Sequence, residues 1–234
     1  MKHIAITGAA GGLGRALTRK YLDLGWTVWA YDLKPNVHTD AFLSEQPGRY
    51  HFIPLDITDG AAVIRAAEVL TGEIHGLDVL VNAAGILTKN GEKQLEDFDI
   101  EDALRVFDIN ALGPLRVTKA MLPLLKRGGD RVLVNISSEA GSMQTNNNYT
   151  RRYDYCMSKA AVNMQSVILQ RALRPDDVKV LAIHPGWMQT EMGGPRATTP
   201  PEDTAAGIAA LVEKYAHNLD SPIYMDYNGT PRPW

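Results

Sequence analysis

A single cysteine, Cys156, in 234 residues excludes an intrachain disulfide and suits a reducing compartment. Charge of one sign is scarce as well. Lys and Arg number 24 against 27 Asp and Glu, a formal net charge of −3, so there is no general attraction to nucleic acid or to an anionic membrane surface. No apolar run approaches the length of a membrane span. Nor does a signal peptide open the chain, because Lys2 and His3 lead straight into a short apolar run. There is no internal repeat, the longest low-complexity stretch is Asn146-Asn147-Asn148, and no metal site is expected. These absences point to a cytoplasmic protein with a small-molecule role and with neither nucleic acid nor membrane as partner.

What the chain does carry is a dense signal near its start. Ile4, Ala5 and Ile6 form a short apolar run, and Thr7-Gly8-Ala9-Ala10-Gly11-Gly12-Leu13-Gly14 a glycine-rich turn. Leu13, Leu17, Tyr21 and Leu24 then mark the apolar side of a helix. Strand, glycine turn and helix suit a dinucleotide pyrophosphate. Glycines let the backbone approach the phosphates, and the new helix aims free N–H groups and the positive end of its dipole at them. The spacing is T-G-x-x-x-G-x-G rather than G-x-G-x-x-G. Alone it carries little weight, since a tight turn can need glycine for its own sake. Strand and helix signals then alternate with no linker. The expectation is one α/β domain over residues 1–234, long enough to bury a sizeable core.

Gly25 ends the first helix. A β-rich run over 26–31 closes on Asp32, about 20 residues after the glycine turn, where a carboxylate binds adenosine ribose hydroxyls and repels a 2′-phosphate. Asp32 therefore favours NAD(H), while Lys34 and Arg15 keep NADP(H) in view. A third strand, 50–55, leads to Asp56, which either accepts a hydrogen bond from an adenine amino group or only shapes the turn. Thr58-Asp59 caps a helix over 61–70. The run 77–81 suits a central parallel strand. Behind it, Asn82-Ala83-Ala84-Gly85 puts small residues where a ribose passes, with the Asn82 amide tying neighbouring strand ends. Residues 86–98 read as a loop.

A long helical pattern covers 99–126 with Pro114 inside it. Proline has no N–H, so the Asn110 carbonyl loses its helical partner, which predicts a bend and a water site there. The fifth strand, 130–136, ends in Asn135-Ile136-Ser137-Ser138, hydroxyls at the carboxyl end of a central strand where open α/β sheets bind ligands. After a loop over 139–154, Tyr155 and Lys159 stand at i and i+4 on one helix face. A free tyrosine, with a pKa of ~10, is a poor base at neutral pH. A neighbouring ammonium lowers that pKa and makes the pair a usable acid/base. Cys156 points off that face and reads as packing. A sixth strand, 178–183, closes on His184-Pro185-Gly186, with His184 a structural histidine. Residues 186–201, rich in Gly and Pro and holding Thr190, have the make-up of a mobile lid. A helix over 202–217 and a short strand over 223–225 complete the pattern.

In this order and spacing, Thr7-Gly8, Gly12, Gly14, Asp32, Asp56, Asn82-Ala83-Ala84-Gly85, Asn110, Ser137-Ser138, Tyr155, Lys159 and Pro185-Gly186 with Thr190 resemble the short-chain dehydrogenase/reductase family, over essentially the whole chain. His184-Pro185-Gly186-Trp187, Thr190-Glu191-Met192-Gly193-Gly194-Pro195 and the closing Pro233-Trp234 resemble a narrower subgroup that includes C-factor-like proteins and sniffer-type carbonyl reductases. The resemblance implies a Rossmann-type doubly wound domain, a seven-stranded parallel sheet flanked by helices. It implies an NAD(P)(H)-dependent oxidoreductase that interconverts a small alcohol and a carbonyl. Tyr155 is then the general acid/base, Lys159 holds the nicotinamide ribose and lowers the Tyr155 pKa, Ser138 holds the substrate oxygen, and Asn110 keeps a relay water on its main-chain carbonyl. Leu13, Ile57, Pro185, Gly186 and Thr190 join Gly8, Gly12, Gly14, Asp32, Asp56 and residues 82–85 in the cofactor set. The resemblance also implies a dimer or tetramer, with a monomer open through the sniffer-type relatives.

Two features depart from the family pattern. The loop between Ser138 and Tyr155 is a few residues long for it, and counting back from Tyr155 by the common spacing reaches Ser142. Ser138 is preferred because insertions fall in loops more easily than at strand ends. Asp32 is the second departure, since the subgroup's carbonyl reductases look like NADP users. The alternative function is a cofactor-binding signalling or regulatory protein of the C-factor type with weak or incidental catalysis. The intact set of Tyr155, Lys159, Ser138 and Asn110 argues against it. The insert over 146–153 shapes the pocket, and its Arg151 and Arg152 either attract an acidic substrate or are simply solvated.

Overall fold

A computed structural model describes residues 1–145 and 149–234; the Asn146-Asn147-Asn148 tract, part of the expected pocket insert, lies outside them. Seven strands, β1 (His3–Thr7), β2 (Thr27–Asp32), β3 (Tyr50–Pro54), β4 (Val79–Asn82), β5 (Val132–Ile136), β6 (Lys179–His184) and β7 (Tyr224–Asp226), form one parallel sheet in the order β3-β2-β1-β4-β5-β6-β7. The order turns back on itself at β1 and β4, and a crevice for ligand opens beyond the carboxyl ends of such a pair.

Alternation along the strands builds two layers. Ile4 and Ile6, Val79 and Val81, and Val132 and Val134 bury against Leu13 and Leu17 of α1 (Gly12–Asp23) and Ile208 and Val212 of α7 (Pro201–Tyr215). Ala5, Leu80, Leu133 and Val180 bury on the other side. There they meet Val63 and Leu70 of α3 (Gly60–Glu73), Val117 and Met121 of α5 (Gly113–Leu125) and Leu173 of α6 (Tyr153–Leu173). This is the seven-stranded doubly wound sheet that the motifs implied. Among the described residues no helix is long and apolar enough to cross a membrane, and no group of three His, Cys, Asp or Glu can hold a metal ion.

Two local features differ from the sequence reading, and a third adds detail to it. Residues 37–45 form a helix, α2 (Val37–Glu45), where none was expected. Only Thr39 and Phe42 are buried along it, so it has no apolar period. Its legible signal is a capping box: Asn36 Oδ1 accepts from the His38 and Thr39 N–H groups, and the Thr39 hydroxyl accepts from the Asn36 N–H. The long pattern over 99–126 is three pieces, α4 (Ile100–Phe107), a π turn over Asp108–Leu112, and α5. Pro114 lies in the first turn of α5, and the Gly113 N–H reaches back five residues to the Asp108 carbonyl. The helix thus widens into a π turn just ahead of the proline, where the sequence predicted a bend. Residues 186–201, expected as a mobile lid, are tied internally. Trp187 O accepts from the Thr198 and Thr199 N–H groups at 3.0 and 2.9 Å, and Trp187 Nε1 donates to Gly193 O at 2.8 Å.

Candidate active site

The glycine turn is set by contacts no side chain can share. Gly8 has φ +69°, and a Cβ there would stand 2.7 Å from the Ala84 Cα. On Gly12 it would stand 2.3 Å from the Thr190 Cγ2, and on Gly14 2.1 Å from the Gly8 carbonyl oxygen. Thr7 Oγ1 accepts from the Ala83 and Ala84 N–H groups at 3.2 and 3.3 Å, which fastens the end of β4 to β1. No side chain caps the first turn of α1, so its N–H groups are left for an anion. Asp32, at the end of β2, accepts from the Ala10 N–H at 2.9 Å and the Leu33 N–H at 2.7 Å, and the Asn36 amide donates to the Ala10 carbonyl at 3.0 Å. Carboxylate and glycine turn are therefore tied together. A cradle that a Cβ would fill, uncapped helical N–H groups and a carboxylate at the next strand end together fit a dinucleotide.

Other members of the expected cofactor set are placed less directly. Asp56 is exposed. The N–H and hydroxyl of Thr58 bond to its carboxylate at 2.9 and 2.7 Å and hold it below the usual carboxylate range. Leu13 and Ile57 bury their side chains in the two cores, so any cofactor contact they make is through main chain. The Asn82 amide ties β4 to β5: its Nδ2 donates to Asn135 Oδ1 at 2.9 Å, and Asn135 Nδ2 donates to Ser166 of α6 at 3.0 Å. Gly186 has φ +80°, the Pro185 carbonyl accepts from the Thr204 hydroxyl at 2.8 Å, and Thr190 presses its methyl on Gly12.

At the carboxyl end of β5, Ser138 Oγ accepts from the Ala140 N–H at 3.1 Å, and the same serine acts on the Tyr155 phenol, lowering its pKa against burial. Lys159, 6% exposed, donates from Nζ to the Ile136 carbonyl at 2.8 Å and lies 5.7 Å from the centroid of the Tyr155 ring. Asn110 turns its amide inward, accepting from the Ile86 N–H at 2.8 Å and donating to the Ile86 carbonyl at 3.0 Å and to Ser158 Oγ at 3.2 Å. A Cβ on Gly85 would stand 3.3 Å from Asn110 Oδ1 and 3.8 Å from Lys159 Nζ, so Gly85 joins the two. Ser142 points elsewhere: its hydroxyl donates to the Pro233 carbonyl at 2.8 Å and accepts from the Thr145 N–H at 3.1 Å. His184 takes the Glu139 N–H on Nδ1 at 3.2 Å, and burial lowers its pKa. Arg151 donates to the Glu92 carbonyl at 2.9 Å.

The electrostatics run against the sequence expectation. Burial pushes the Tyr155 phenol up to about 12, against the opposing hydrogen bond from Ser138. The Lys159 ammonium faces a carbonyl and the ring rather than the phenol oxygen. Burial brings Lys159 itself down to about 8. Since 10.5 is its unfolded value, the native state binds fewer protons than the unfolded one between about pH 8 and 10.5, and stability rises across that window. The expected result is that Lys159→Met melts higher than wild type at pH 7 and that the gap narrows by pH 10. Thermal melts at the two pH values check this, and a lower melting point at pH 7 would refute it.

Two residues of the site escaped the sequence reading. Asp154, 1% exposed, accepts from the Tyr155 N–H at 2.8 Å and the Thr88 hydroxyl at 3.2 Å, and so joins the start of α6 to the 88–92 turn. Tyr224 donates its hydroxyl to the Ser138 carbonyl at 2.8 Å across 86 residues of sequence. Neither belongs to a motif of short range.

A model of the short chain dehydrogenase family matches residues 2–200. The chain belongs to the short-chain dehydrogenase family. Within that family it is similar to C-signal of Myxococcus xanthus, 42% identical over 169 residues that span 72% of this chain and 98% of the relative. It is also similar to the 1-hydroxy-2-glutathionyl-2-methyl-3-butene dehydrogenase of Rhodococcus sp., 31% identical over the full length of both. Among solved short-chain dehydrogenase structures, the carbonyl reductase Sniffer of D. melanogaster superimposes with a TM-score of 0.88 at 27% identity and full coverage of both chains. The NADPH-bound carbonyl reductase from chicken fatty liver does so at 0.87 and 26%, covering all of this chain and 94% of that one.

Proposed function

We propose that this short-chain dehydrogenase interconverts an alcohol and a carbonyl, with Tyr155 as general acid/base and NAD(H) as the preferred cofactor. The observation that carries the reading is the grouping at the carboxyl end of β5, two strands from the glycine turn, of the Ser138 hydroxyl, the buried Tyr155 and the Lys159 ammonium, which lies 5.7 Å from the Tyr155 ring. A bound nicotinamide supplies the hydride in one direction and accepts it in the other. Ser138 already spends an oxygen lone pair on the Ala140 N–H, which aims its proton at the substrate oxygen. Tyr155 gives that oxygen a proton in reduction and takes it back in oxidation. The Lys159 ammonium holds the nicotinamide ribose, and the Asn110 carbonyl a relay water.

The NAD(H) preference rests on Asp32, whose carboxylate is fixed at the glycine turn by the Ala10 N–H and repels a 2′-phosphate. Solved relatives bound to NADPH or NADP set the contrast. Fluorescence titration is expected to give tighter binding of NADH than NADPH, by roughly 10-fold or more, and Asp32→Ala is expected to erase the gap. Equal binding to wild type would refute the preference and leave the reaction class standing.

Self-association belongs to the same proposal. Ile100 and Leu104 of α4 and Met157, Met164 and Ile168 of α6, helices packed on one another, are each more than half exposed, and a second copy would cover them. A monomer by analytical ultracentrifugation would remove this part. The likeness to C-signal favours a second reading, a cofactor-binding signalling protein. Cofactor binding without turnover of a broad alcohol and carbonyl panel would favour that reading over the first.

A further inference from the structure

We propose that Tyr224 is a positioning residue for Ser138 and that residues 232–234 hold the pair in place; this rests on the reading of Ser138 as the group that binds the substrate oxygen. Tyr224 is 2% exposed. In the sheet it is level with Ala182, and Ala182 with Asn135, so the three side chains share the face covered by α6. Ala182 is small enough for the tyrosine ring to lie across β6. The ring hydroxyl then donates to the Ser138 carbonyl at 2.8 Å, and the same oxygen accepts from the Gly141 N–H at 3.0 Å. Phenylalanine would fill the space equally well. What the hydroxyl adds is a second anchor on the main chain of the residue that must aim at the substrate.

The other side of the ring stacks on Trp234, with centroids 5.0 Å apart and planes at 23°. The Arg232 N–H donates to the Tyr224 carbonyl at 3.0 Å, and its guanidinium to Glu139 Oε2 at 3.1 Å. The Pro233 carbonyl accepts from the Ser142 hydroxyl at 2.8 Å, and the Trp234 carbonyl from the Gln144 N–H at 3.0 Å. Residues 232–234 thus grip the segment after Ser138 at positions 139, 142 and 144, while Tyr224 pins its first residue. From α6, Asn163 accepts the Ser137 hydroxyl at 2.5 Å and donates to the Gly141 carbonyl at 3.2 Å. An error of about 1 Å in a reacting group costs on the order of 10²-fold in rate, so a residue that fixes the Ser138 main chain acts on catalysis without touching substrate.

Tyr224→Phe removes only the hydroxyl. Hydrogen exchange over residues 138–145, read by mass spectrometry, is expected to quicken roughly 5- to 10-fold. Exchange over residues 7–16 and the dissociation constant for NADH are expected to stay unchanged. With NADH and 4-nitrobenzaldehyde as probe, kcat falls by a similar factor, roughly 5- to 10-fold, with KM for the cofactor unaltered. The double variant Ser138→Ala/Tyr224→Phe is no slower than Ser138→Ala. Trp234→Ala, which keeps the hydroxyl but removes its backing, gives a smaller change over the same residues. Unchanged exchange at 138–145 overturns the proposal, as do losses that add in the double variant, or exchange raised across the whole sheet. Ser138→Ala turning over at the wild-type rate removes the reading of Ser138 itself, and the proposal with it. The exchange measurement needs no substrate, so it decides whether or not the aldehyde is turned over.

Discussion

Tyr155→Phe removes almost all alcohol–carbonyl turnover, a loss of roughly 10³- to 10⁴-fold, and leaves the dissociation constant for the cofactor within twofold or so of wild type. Phenylalanine keeps the ring that packs beside Lys159 and deletes only the hydroxyl. No other acid in the cluster can replace it. The Lys159 ammonium faces the Ile136 carbonyl and the Tyr155 ring, and its place in the reading is on the ribose and not on the substrate oxygen, while Ser138 is an alcohol with a higher pKa than the phenol. Direction follows from the pKa of about 12. At neutral pH Tyr155 is protonated, so reduction has its acid ready and its rate is flat through neutrality. Oxidation needs the phenolate and rises as pH climbs toward that value. Steady-state rates in both directions from pH 6 to 10, with a cofactor titration of the variant, check the whole statement. Turnover by Tyr155→Phe within tenfold of wild type would sink the acid/base assignment.

Gly14→Ala is expected to have the next largest effect. The added methyl would stand 2.1 Å from the Gly8 carbonyl oxygen and 2.7 Å from the Ala9 Cα, both backbone atoms of the same turn. Neither can swing aside as a side chain would, so α1 must slide away from β1. The expected cost is about 3 kcal/mol of stability and a loss of roughly 10²-fold in cofactor affinity, read by urea unfolding and by fluorescence titration. Gly60→Ala is the control. A Cβ on Gly60, the first residue of α3, meets nothing within 4 Å, and the exchange gains up to about 1 kcal/mol through a stiffer unfolded chain. Wild-type affinity in Gly14→Ala would show that the tight spacing of the turn is not what cofactor binding requires.

The contrast between those two glycines marks what a sequence reveals and what it conceals. The string around Gly8, Gly12 and Gly14 is local, and strand, tight turn and helix were legible in it before any fold was known. The same holds for the Asp59 cap, the Asn82 tie between strand ends and the i, i+4 placing of Tyr155 and Lys159. Short apolar and β-rich runs were enough to place all seven strands to within a few residues. Helix α2 was missed because only Thr39 and Phe42 face inward, and a single capping box carries its signal. The π turn was half legible: Pro114 showed that a carbonyl would lose its donor, but how the helix would absorb the loss depends on packing around it. The Tyr155 pKa went the wrong way because spacing shows a neighbour but not its depth. Burial of the whole cluster outweighs a single ammonium that faces another way. The Tyr224 link to Ser138 had no local signal, since it exists only once β5, β6 and β7 lie side by side.

The packing of α1 on α7 also sets a timetable. Leu13 and Leu17, on the helix that follows the glycine turn, share their core with Ile208 and Val212 from the far end of the chain. On the ribosome the glycine turn is made well before residues 201–215 and waits, half roofed, until they follow. A nascent chain that has just released Lys159 already contains every residue assigned to the chemistry, yet its first helix is uncovered and prone to stick to other chains. The first helix is covered only when residues 201–215 close over a turn translated nearly two hundred residues earlier.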